Sequence, residues 1–203
     1  MLTKYIKNSP HRVLLEEKIK KIAPIISGEV LDIGSKNRRY DSLFKAHIIA
    51  ADINENKEKN IIKADINKLP FRNGSFDAVL CLEVFEYLNT PGKAASEIYR
   101  VLKNKGKLVL SSPFMNKYHE DKMRLTKSSL EETFKNFKEV KIEEIGNFYS
   151  IILDIIRDKI MFIKHKPLRV LFYIPYILLT MLLPLVKAND KKHVSGYFVK
   201  AIK

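Results

Sequence analysis

Carboxylates stand at or near the ends of successive apolar runs in the first half of this 203-residue chain. One run, residues 29–34, contains Asp32 and Gly34, and the next, residues 47–52, ends in Asp52, twenty residues after Asp32. A nucleotide-like ligand commonly docks where such a strand ends, and an acid at this spacing can accept hydrogen bonds from both ribose hydroxyls. The pattern therefore predicts a site for a nucleotide-like ligand.

Two further runs of the same kind follow. Residues 61–66 contain Asp65, and residues 76–83 form a buried-looking strand that closes on Glu83. Predicted strands then alternate with predicted helices as far as residue 111, which implies βαβ units, a parallel sheet and right-handed crossovers. Such a sheet brings the carboxyl ends of its strands to one edge, so these acids are expected to lie near one another.

Each acid also has a simpler explanation. Asp32 or Asp52 alone is more often a helix N-cap or a turn residue than a ligand contact. The loop after the first strand, residues 34–39, has a single glycine, whereas dinucleotide loops usually have several. The ordered set of motifs, rather than any one of them, favours a ligand site.

Taken in order, the motifs resemble those of class I S-adenosylmethionine-dependent methyltransferases of the type 11 group. The resemblance covers residues 12–146 and resumes over residues 196–203. It implies a Rossmann-like, doubly wound, mostly parallel α/β sheet of seven strands with the last strand antiparallel, and methyl transfer from S-adenosylmethionine. The motifs that carry it are Val30-Leu31-Asp32-Ile33-Gly34, Asp52, Asp65 with Leu69-Pro70-Phe71, Ser75-Phe76-Asp77-Ala78-Val79, Glu83-Val84-Phe85-Glu86-Tyr87-Leu88 and residues 97–110.

The resemblance also implies a role for individual residues at this edge. Gly34 would let the cofactor approach the backbone, Asp52 would bind the ribose, and Glu83 would line the methionine end. Asp65 and Ile66 would border the adenine. The predicted cofactor-binding residues are Asp32, Gly34, Asp52, Ile53, Asp65, Ile66 and Glu83.

Lys36 and Arg38 stand where the family usually has glycines. Their side chains must point away from the cofactor, reach its carboxylate, or block the site. The last alternative corresponds to a non-catalytic binding or scaffold protein that keeps the fold.

The loop after the predicted fifth strand contains the candidate acceptor-side residues. Methyl transfer is an in-line displacement, and a hydroxyl acceptor needs a base. His119 is the predicted catalytic base because the ordinary pKa of histidine is about 6.5. Asp121 can orient it, Arg124 can hold an anionic acceptor group, and Tyr118 completes the predicted substrate contacts. Alternatively, Asp121 and Arg124 form a local ion pair and Thr126 caps the following helix.

Between the sixth and seventh predicted strands lies a helical apolar insertion, which includes seventeen residues without a charge at 170–186. This is the lower limit for a transmembrane helix, and a single span would separate residues 195–203 from the sheet. Pro175 and Pro184 predict two short helices instead. Basic residues flank the run, so we predict peripheral membrane contact through residues 155–190. The alternatives are an apolar lid and a homodimer face.

Composition limits the remaining possibilities. One domain is expected at this length, divided into an N-terminal helical cap, a Rossmann-like core, the insertion and the last strand at 1–28, 29–146, 147–193 and 194–203. Thirty-seven basic against 23 acidic residues give a net charge of +14, which favours an anionic membrane face or nucleic acid. The alternative is a lysine-rich soluble surface that reflects genome composition. The chain lacks an Asn-Pro-Pro-Tyr motif and an RNA-binding module, so RNA methylation is the second choice.

The single cysteine, Cys81, lies inside a predicted strand. It excludes an intramolecular disulfide and a multi-cysteine metal site, and the histidine spacing predicts no metal. The first residues lack the apolar stretch of a signal peptide. We therefore expect a cytoplasmic protein, peripheral on the inner face of the membrane, whose acceptor is a small or lipid-linked, hydrophobic molecule.

Overall fold

The computed structural model describes two compact units of this chain. The described residues are 5, 7–115, 121–183 and 193–203. One unit, which we call the helical unit, comprises residues 1–18 and 144–196, and the other, the sheet unit, comprises residues 19–143 and 197–203. The predicted division into cap, core, insertion and last strand stays a prediction.

The strands come in the order that the sequence predicts, but the predicted alternation with helices up to residue 111 is wrong, because residues 34–46, 53–60 and 64–75 form loops and short turns rather than α-helices. Twelve α-helices and strands are described. They are α1 (Pro10–Ile22), β1 (Glu29–Ile33), β2 (His47–Asp52), β3 (Ile61–Lys63), β4 (Phe76–Leu82), α2 (Pro91–Val101), β5 (Leu102–Pro113), α3 (Lys127–Thr133), β6 (Lys138–Ile145), α4 (Phe148–Met161), α5 (Lys166–Leu182) and β7 (Gly196–Ile202). In the described part of the segment between β6 and β7, the chain forms two helices, α4 and α5.

All seven strands join one sheet in the order β3-β2-β1-β4-β5-β7-β6. Pairing is parallel from β3 through β5. At the β5–β7 border, the backbone N–H of Lys105 donates to the carbonyl of Lys203 at 3.1 Å, and the N–H of Lys203 donates to Gly106 at 3.0 Å. Because the start of β5 meets the end of β7, this pair is antiparallel. The predicted seven-stranded, mostly parallel sheet with an antiparallel last strand is confirmed.

The core of the sheet unit follows from strands that are buried on both faces. Parallel strands between helical layers read as continuous apolar runs, and Val79, Leu80 and Cys81 in β4 are at most 1% exposed. On α2, the apolar residues recur on one face, and Ala94 and Ile98 are fully buried there. This packing holds the strand ends rigidly, as a ligand site at the sheet edge requires.

The helical unit has a separate apolar core. Asn147 caps α4 by accepting a hydrogen bond from the N–H of Ser150 at 3.1 Å, while the Ser150 hydroxyl accepts one from the N–H of Asn147. Helix α4 packs against α5. The buried members of this core are Tyr5, Val13, Leu153, Ile160, Tyr176, Ile177 and Leu183.

The prediction that Pro175 separates two short helices is wrong. Pro175 lies inside α5, which continues to Leu182. A proline inside a helix removes one backbone hydrogen bond, and the neighbouring Tyr176 and Ile177 are both buried in the core of the helical unit. Burial of these side chains offsets the lost hydrogen bond. Pro184 lies outside the described residues, and none of the described helices is both long and apolar enough to cross a bilayer.

The outer surface of α4 and α5 carries many large apolar side chains. On α5 and the preceding turn these are Phe162, Leu168, Val170, Leu171, Phe172, Ile174, Leu178, Leu179, Met181 and Leu182, each at least 43% exposed. Phe148, Tyr149, Ile152, Ile155 and Met161 extend the set along α4. Monomeric soluble proteins rarely leave so large an apolar patch in water.

In the sheet unit, the loop after β1 touches the turn after β4 at a single glycine. Gly34 has a φ of +77°, and a Cβ atom built on it would lie 2.3 Å from Cγ2 of Val84. Both the left-handed backbone and the close approach exclude a side chain here. The glycine is therefore needed for packing, whatever it does for a ligand.

We predict that Gly34→Ala lowers the free energy of unfolding by about 2–4 kcal/mol, because it adds left-handed strain to an overpacked contact. Urea denaturation at neutral pH measures the change. Gly92→Ala is the matched control: a Cβ there meets nothing within 4 Å, and alanine favours the helix that Gly92 occupies. A second change, Val84→Ala, should recover part of the loss. Equal stability of the two glycine variants would contradict the prediction.

Candidate functional site

The carboxyl ends of β1, β2, β4 and β5 meet at one edge of the sheet unit. The register pairs Ile33 with Ala51 on β2 and with Cys81 on β4. The loop after β1 then turns over β2, where the N–H groups of Gly34 and Ser35 both donate to the carbonyl of Ala51, at 2.8 and 3.1 Å. In doubly wound sheets, ligands bind where the strand order reverses, and here the reversal lies between β1 and β4.

Two predicted carboxylates occupy this edge in different environments. Asp52 is half-buried at the end of β2, and its Oδ1 accepts a hydrogen bond from the N–H of Asn54 at 3.0 Å. Asp32 is only 8% exposed, and burial raises the pKa of its carboxyl to about 7. Ile53, by contrast, is 59% exposed directly after Asp52. Asp52 and Ile53 are thus accessible, whereas Asp32 lies beneath the loop.

The third predicted pair, Asp65 and Ile66, follows β3. Asp65 is exposed, and its Oδ1 accepts hydrogen bonds from the backbone and side-chain amides of Asn67 at 2.8 and 3.1 Å. Ile66 is 6% exposed and packs in the main core of the sheet unit. The side chain of Asp65 therefore shapes a turn, and that of Ile66 is mostly removed from the surface.

Glu83 stands directly after β4 with a φ of +60°. Its N–H donates to the carbonyl of Ser111 at 3.0 Å, and its Oε1 accepts a hydrogen bond from the Ser111 hydroxyl at 2.7 Å. A non-glycine residue in this backbone region is uncommon and often functional. The serine at the end of β5 holds the carboxylate in a defined position at the sheet edge.

Glu86 is a residue of this edge to which the sequence analysis gives no role. It is 1% exposed, in the turn that follows β4. Burial, followed by the nearby charge of Glu83, raises the pKa of its carboxyl to about 9. The sequence does contain a signal for this residue, because Glu86 is the one charged residue in the apolar stretch of residues 84–88. A glutamate among apolar neighbours can be buried with them.

The structure also shows polar atoms at this edge that lack partners. Within the part of the chain that the structure describes, Oε2 of Glu86 and the hydroxyl of Ser112 are buried without a hydrogen-bond partner. Buried polar groups are nearly always paired, so such exceptions call for an explanation. A polar ligand at the carboxyl ends of β4 and β5 would provide one.

The acceptor-side predictions have a mixed outcome. Asp121 and Arg124 form an ion pair at 2.8 Å, and the guanidinium also donates to the carbonyl of Phe114 at 3.0 Å. Thr126 caps α3 by accepting a hydrogen bond from the N–H of Ser129 at 3.2 Å. Both features match the local alternative, although an ion pair at this place can still meet a ligand. Tyr118 and His119 lie outside the described residues.

Arg38 points away from the strand ends and into the loops beside β2. Its guanidinium donates to the carbonyls of Ile48 and Asn60 at 3.2 and 3.1 Å, and it pairs with Asp41 at 2.7 Å. Lys36 is exposed. Of the alternatives for Arg38, the first therefore holds, because its side chain stabilises the loops rather than filling the ligand edge.

Metal ligands are not gathered anywhere in residues 5, 7–115, 121–183 and 193–203: no group of three His, Cys, Asp or Glu side chains there could hold an ion. Cys81 is a buried free thiol.

A family model described as a methyltransferase domain matches residues 31–110, the part of the chain that builds this edge. An uncharacterized protein of Methanocaldococcus jannaschii is 32% identical over 134 residues, which cover 60% of this chain and 65% of that protein. The chain spans less than two thirds of the length of the curated relatives that it matches.

Two solved structures share the fold. A methyltransferase from Archaeoglobus fulgidus, described as S-adenosylmethionine-dependent, matches with a TM-score of 0.62 and 18% identity over 95% of this chain and 94% of that one. A Haemonchus contortus phosphoethanolamine N-methyltransferase, solved with S-adenosylmethionine, matches with a TM-score of 0.61 and 19% identity over 93% of this chain and 52% of that one. At these identities the likeness concerns the fold.

We predict that Arg38→Ala lowers the free energy of unfolding by about 1–2 kcal/mol, because it leaves loop carbonyls without their donor. The side chain is 28% exposed, so water replaces part of the loss. Lys36→Ala, in the same loop but on an exposed residue, is the control and should change stability by less than about 0.5 kcal/mol. Thermal denaturation of both variants measures the difference. Equal stability of Arg38→Ala and Lys36→Ala would show that Arg38 does not stabilise these loops.

Proposed function

We propose that this chain, which belongs to the class I S-adenosylmethionine-dependent methyltransferases, transfers a methyl group from that cofactor to a small or lipid-linked, hydrophobic acceptor at a membrane surface. The observation that carries the proposal is the meeting of Asp52, Glu83 and the Gly34 loop at the carboxyl ends of neighbouring parallel strands. The domain match covers these same elements.

The residues at this edge fit such a cofactor. S-adenosylmethionine supplies an electrophilic methyl group on a sulfonium. Asp52 would accept hydrogen bonds from the ribose hydroxyls, and the exposed Ile53 would offer an apolar surface to the base. Glu83, held by Ser111, would face the methionine end. Carboxylates suit a positively charged sulfonium, and the unpartnered oxygen of Glu86 adds acceptor capacity there.

A hydrophobic acceptor is suggested by the surface of the helical unit. The apolar side chains of α4 and α5 would be covered if this surface lay in the interfacial region of a bilayer. Contact through residues 155–190 would keep the chain where lipids and lipid-linked molecules are found. A homodimer face is the alternative use of the same surface.

The charges near this surface favour an anionic membrane. Exposed basic residues cluster where α4 ends and α5 begins, at Lys159, Lys164 and Lys166. Cations beside an apolar face bind acidic headgroups while the apolar side chains enter the acyl boundary. Together with the net charge of +14, this supports a peripheral location on a cytoplasmic membrane face.

We predict that the chain binds S-adenosylmethionine and S-adenosylhomocysteine, and that Asp52→Asn weakens both. Loss of a charged hydrogen bond costs about 1.5–3 kcal/mol, which corresponds to roughly 10- to 100-fold in Kd. Isothermal titration calorimetry at physiological salt measures the affinities. Glu55→Gln, an exposed acid three residues along the same loop, should leave them unchanged.

Failure of the folded wild-type chain to bind either ligand would contradict the proposal and favour a non-catalytic scaffold. Binding that Asp52→Asn leaves intact would place the ribose elsewhere. RNA binding that falls steeply with salt, together with methylation of RNA, would favour the RNA-directed alternative.

We also predict that the chain sediments with vesicles that contain anionic phospholipids, and that the pair Leu171→Ser and Leu178→Ser weakens this binding at least tenfold. The two leucines are 64% and 59% exposed and lie seven residues apart on α5, hence on one face. Burial of a leucine side chain contributes about 1.5–3 kcal/mol. Cosedimentation over a range of lipid concentrations gives the partition coefficient.

The matched control changes two exposed isoleucines of the sheet unit, Ile25→Ser and Ile62→Ser, which are 58% and 40% exposed. Equal loss of vesicle binding in the two pairs would contradict membrane contact through α5. The surface would instead be a subunit interface if two results were found together. The wild-type chain would form a dimer in analytical ultracentrifugation without binding vesicles, and the variant with both leucines changed would be a monomer.

A further inference from the structure

The turn after β4 holds a buried carboxyl, that of Glu86, which forms no ion pair with any of the described residues. Glu86 is 1% exposed, and its Oε2 has no hydrogen-bond partner among the residues that the structure describes. Its backbone carbonyl is used separately, as it accepts hydrogen bonds from the N–H groups of Lys122 and Met123 at 2.8 and 3.2 Å. The turn is therefore well anchored, while the carboxyl oxygen that it buries is left for something else.

The charged groups around Glu86 are mostly negative. Glu83 lies on the same turn, and Asp121 and Arg124 lie on the segment after β5. The guanidinium of Arg124 pairs with Asp121 at 2.8 Å and donates to the carbonyl of Phe114. Three carboxyls thus share one cation. Burial, followed by the charge of Glu83, raises the pKa of Glu86 to about 9, which favours the protonated form at neutral pH.

The position of the turn matters as much as its charge. Val84, between Glu83 and Glu86, touches Gly34 of the loop after β1. The turn and the loop therefore border the gap between β1 and β4, where the strand order reverses and ligands of doubly wound sheets bind. A charge on a ligand in this gap would interact with Glu86 through the protein interior, which screens charges less than water does.

We propose that Glu86 is the residue through which this site distinguishes the charged sulfonium of its cofactor from the neutral thioether of the product, by giving up its proton when positive charge is bound. The inference rests on the proposed function, since it needs S-adenosylmethionine as the ligand. The proton passes to solvent, and no covalent bond of the ligand changes.

The physical basis is linkage between proton and ligand. A positive charge near a carboxyl favours its ionised form. At an effective dielectric constant of about 20, a unit charge roughly 6 Å away changes the protonation equilibrium about a hundredfold. The ionised Glu86 in turn binds the cation more tightly. Affinity for the sulfonium should then rise up to tenfold per pH unit while Glu86 loses its proton, and affinity for the thioether should not.

The test is calorimetric titration at pH 8 in two buffers of different ionisation enthalpy, which counts protons released on binding. We expect S-adenosylmethionine to release roughly half a proton to one proton more than S-adenosylhomocysteine, once the protons that each ligand's own amino group exchanges are subtracted. Glu86→Gln should abolish the difference, because an amide keeps the shape and neutrality of the protonated acid. Glu55→Gln, an exposed acid, should preserve it.

Each remaining outcome counts against the proposal. If both ligands bind with equal proton release, Glu86 does not respond to the charge of the ligand. The inference is then overturned, while the proposed function is unaffected. A difference that persists in Glu86→Gln would belong to another group. If that variant does not fold, the wild-type chain still decides the matter, because a constant affinity ratio of the two ligands from pH 6 to pH 9 overturns the inference. Binding of neither ligand by the folded wild type overturns the inference and the proposed function together.

Discussion

Parallel pairing of β1 with both β2 and β4 is the constraint on which the candidate site depends. Because Ile33 lies in register with Ala51 and Cys81, the chain leaves all three strands at one edge. The loop after β1 must then turn over β2 and also clear the turn after β4. Two N–H groups bonded to the Ala51 carbonyl achieve the first, and the missing Cβ of Gly34 achieves the second. The width of the gap is thus set by backbone geometry, before any ligand is considered.

At this edge, acidic side chains are buried in surroundings that oppose their ionisation. Asp32 and Glu86 are buried with raised pKa values, of about 7 and about 9, whereas Glu83 is fixed by the Ser111 hydroxyl. A buried acid in its neutral form avoids the cost of burying a charge, but its polar atoms still need hydrogen-bond partners. Conflicts of this kind between burial and ionisation are common at functional sites, and here they gather at the carboxyl ends of β1 and β4.

The helical unit has polar groups beside its apolar core and many apolar side chains on its surface. Inside it, Nδ1 of His11 lies 2.8 Å from the Ser195 hydroxyl, and the N–H of His11 donates to Asp154 at 3.2 Å. Outside it, α5 presents leucine, isoleucine and phenylalanine side chains. Some polar groups inside pair with one another, although Oδ1 of Asp154 and the hydroxyl of Tyr176 have no hydrogen-bond partner among the described residues. The exposed apolar face gains free energy only when another apolar phase or surface covers it. The two units therefore differ in the surroundings that suit them.

The sequence by itself determined the parallel α/β class, the strand order of the motifs and the carboxylates at the strand ends, because continuous apolar runs and their terminal acids are local features. It also located the uncharged run of α5. Only the tertiary structure decided that Arg38 holds loops beside β2, that Pro175 is accommodated within a helix, and that Glu86 is buried. Each of these depends on which side chains and carbonyls meet across the fold, and hydrophobic patterning and residue spacing do not encode such meetings.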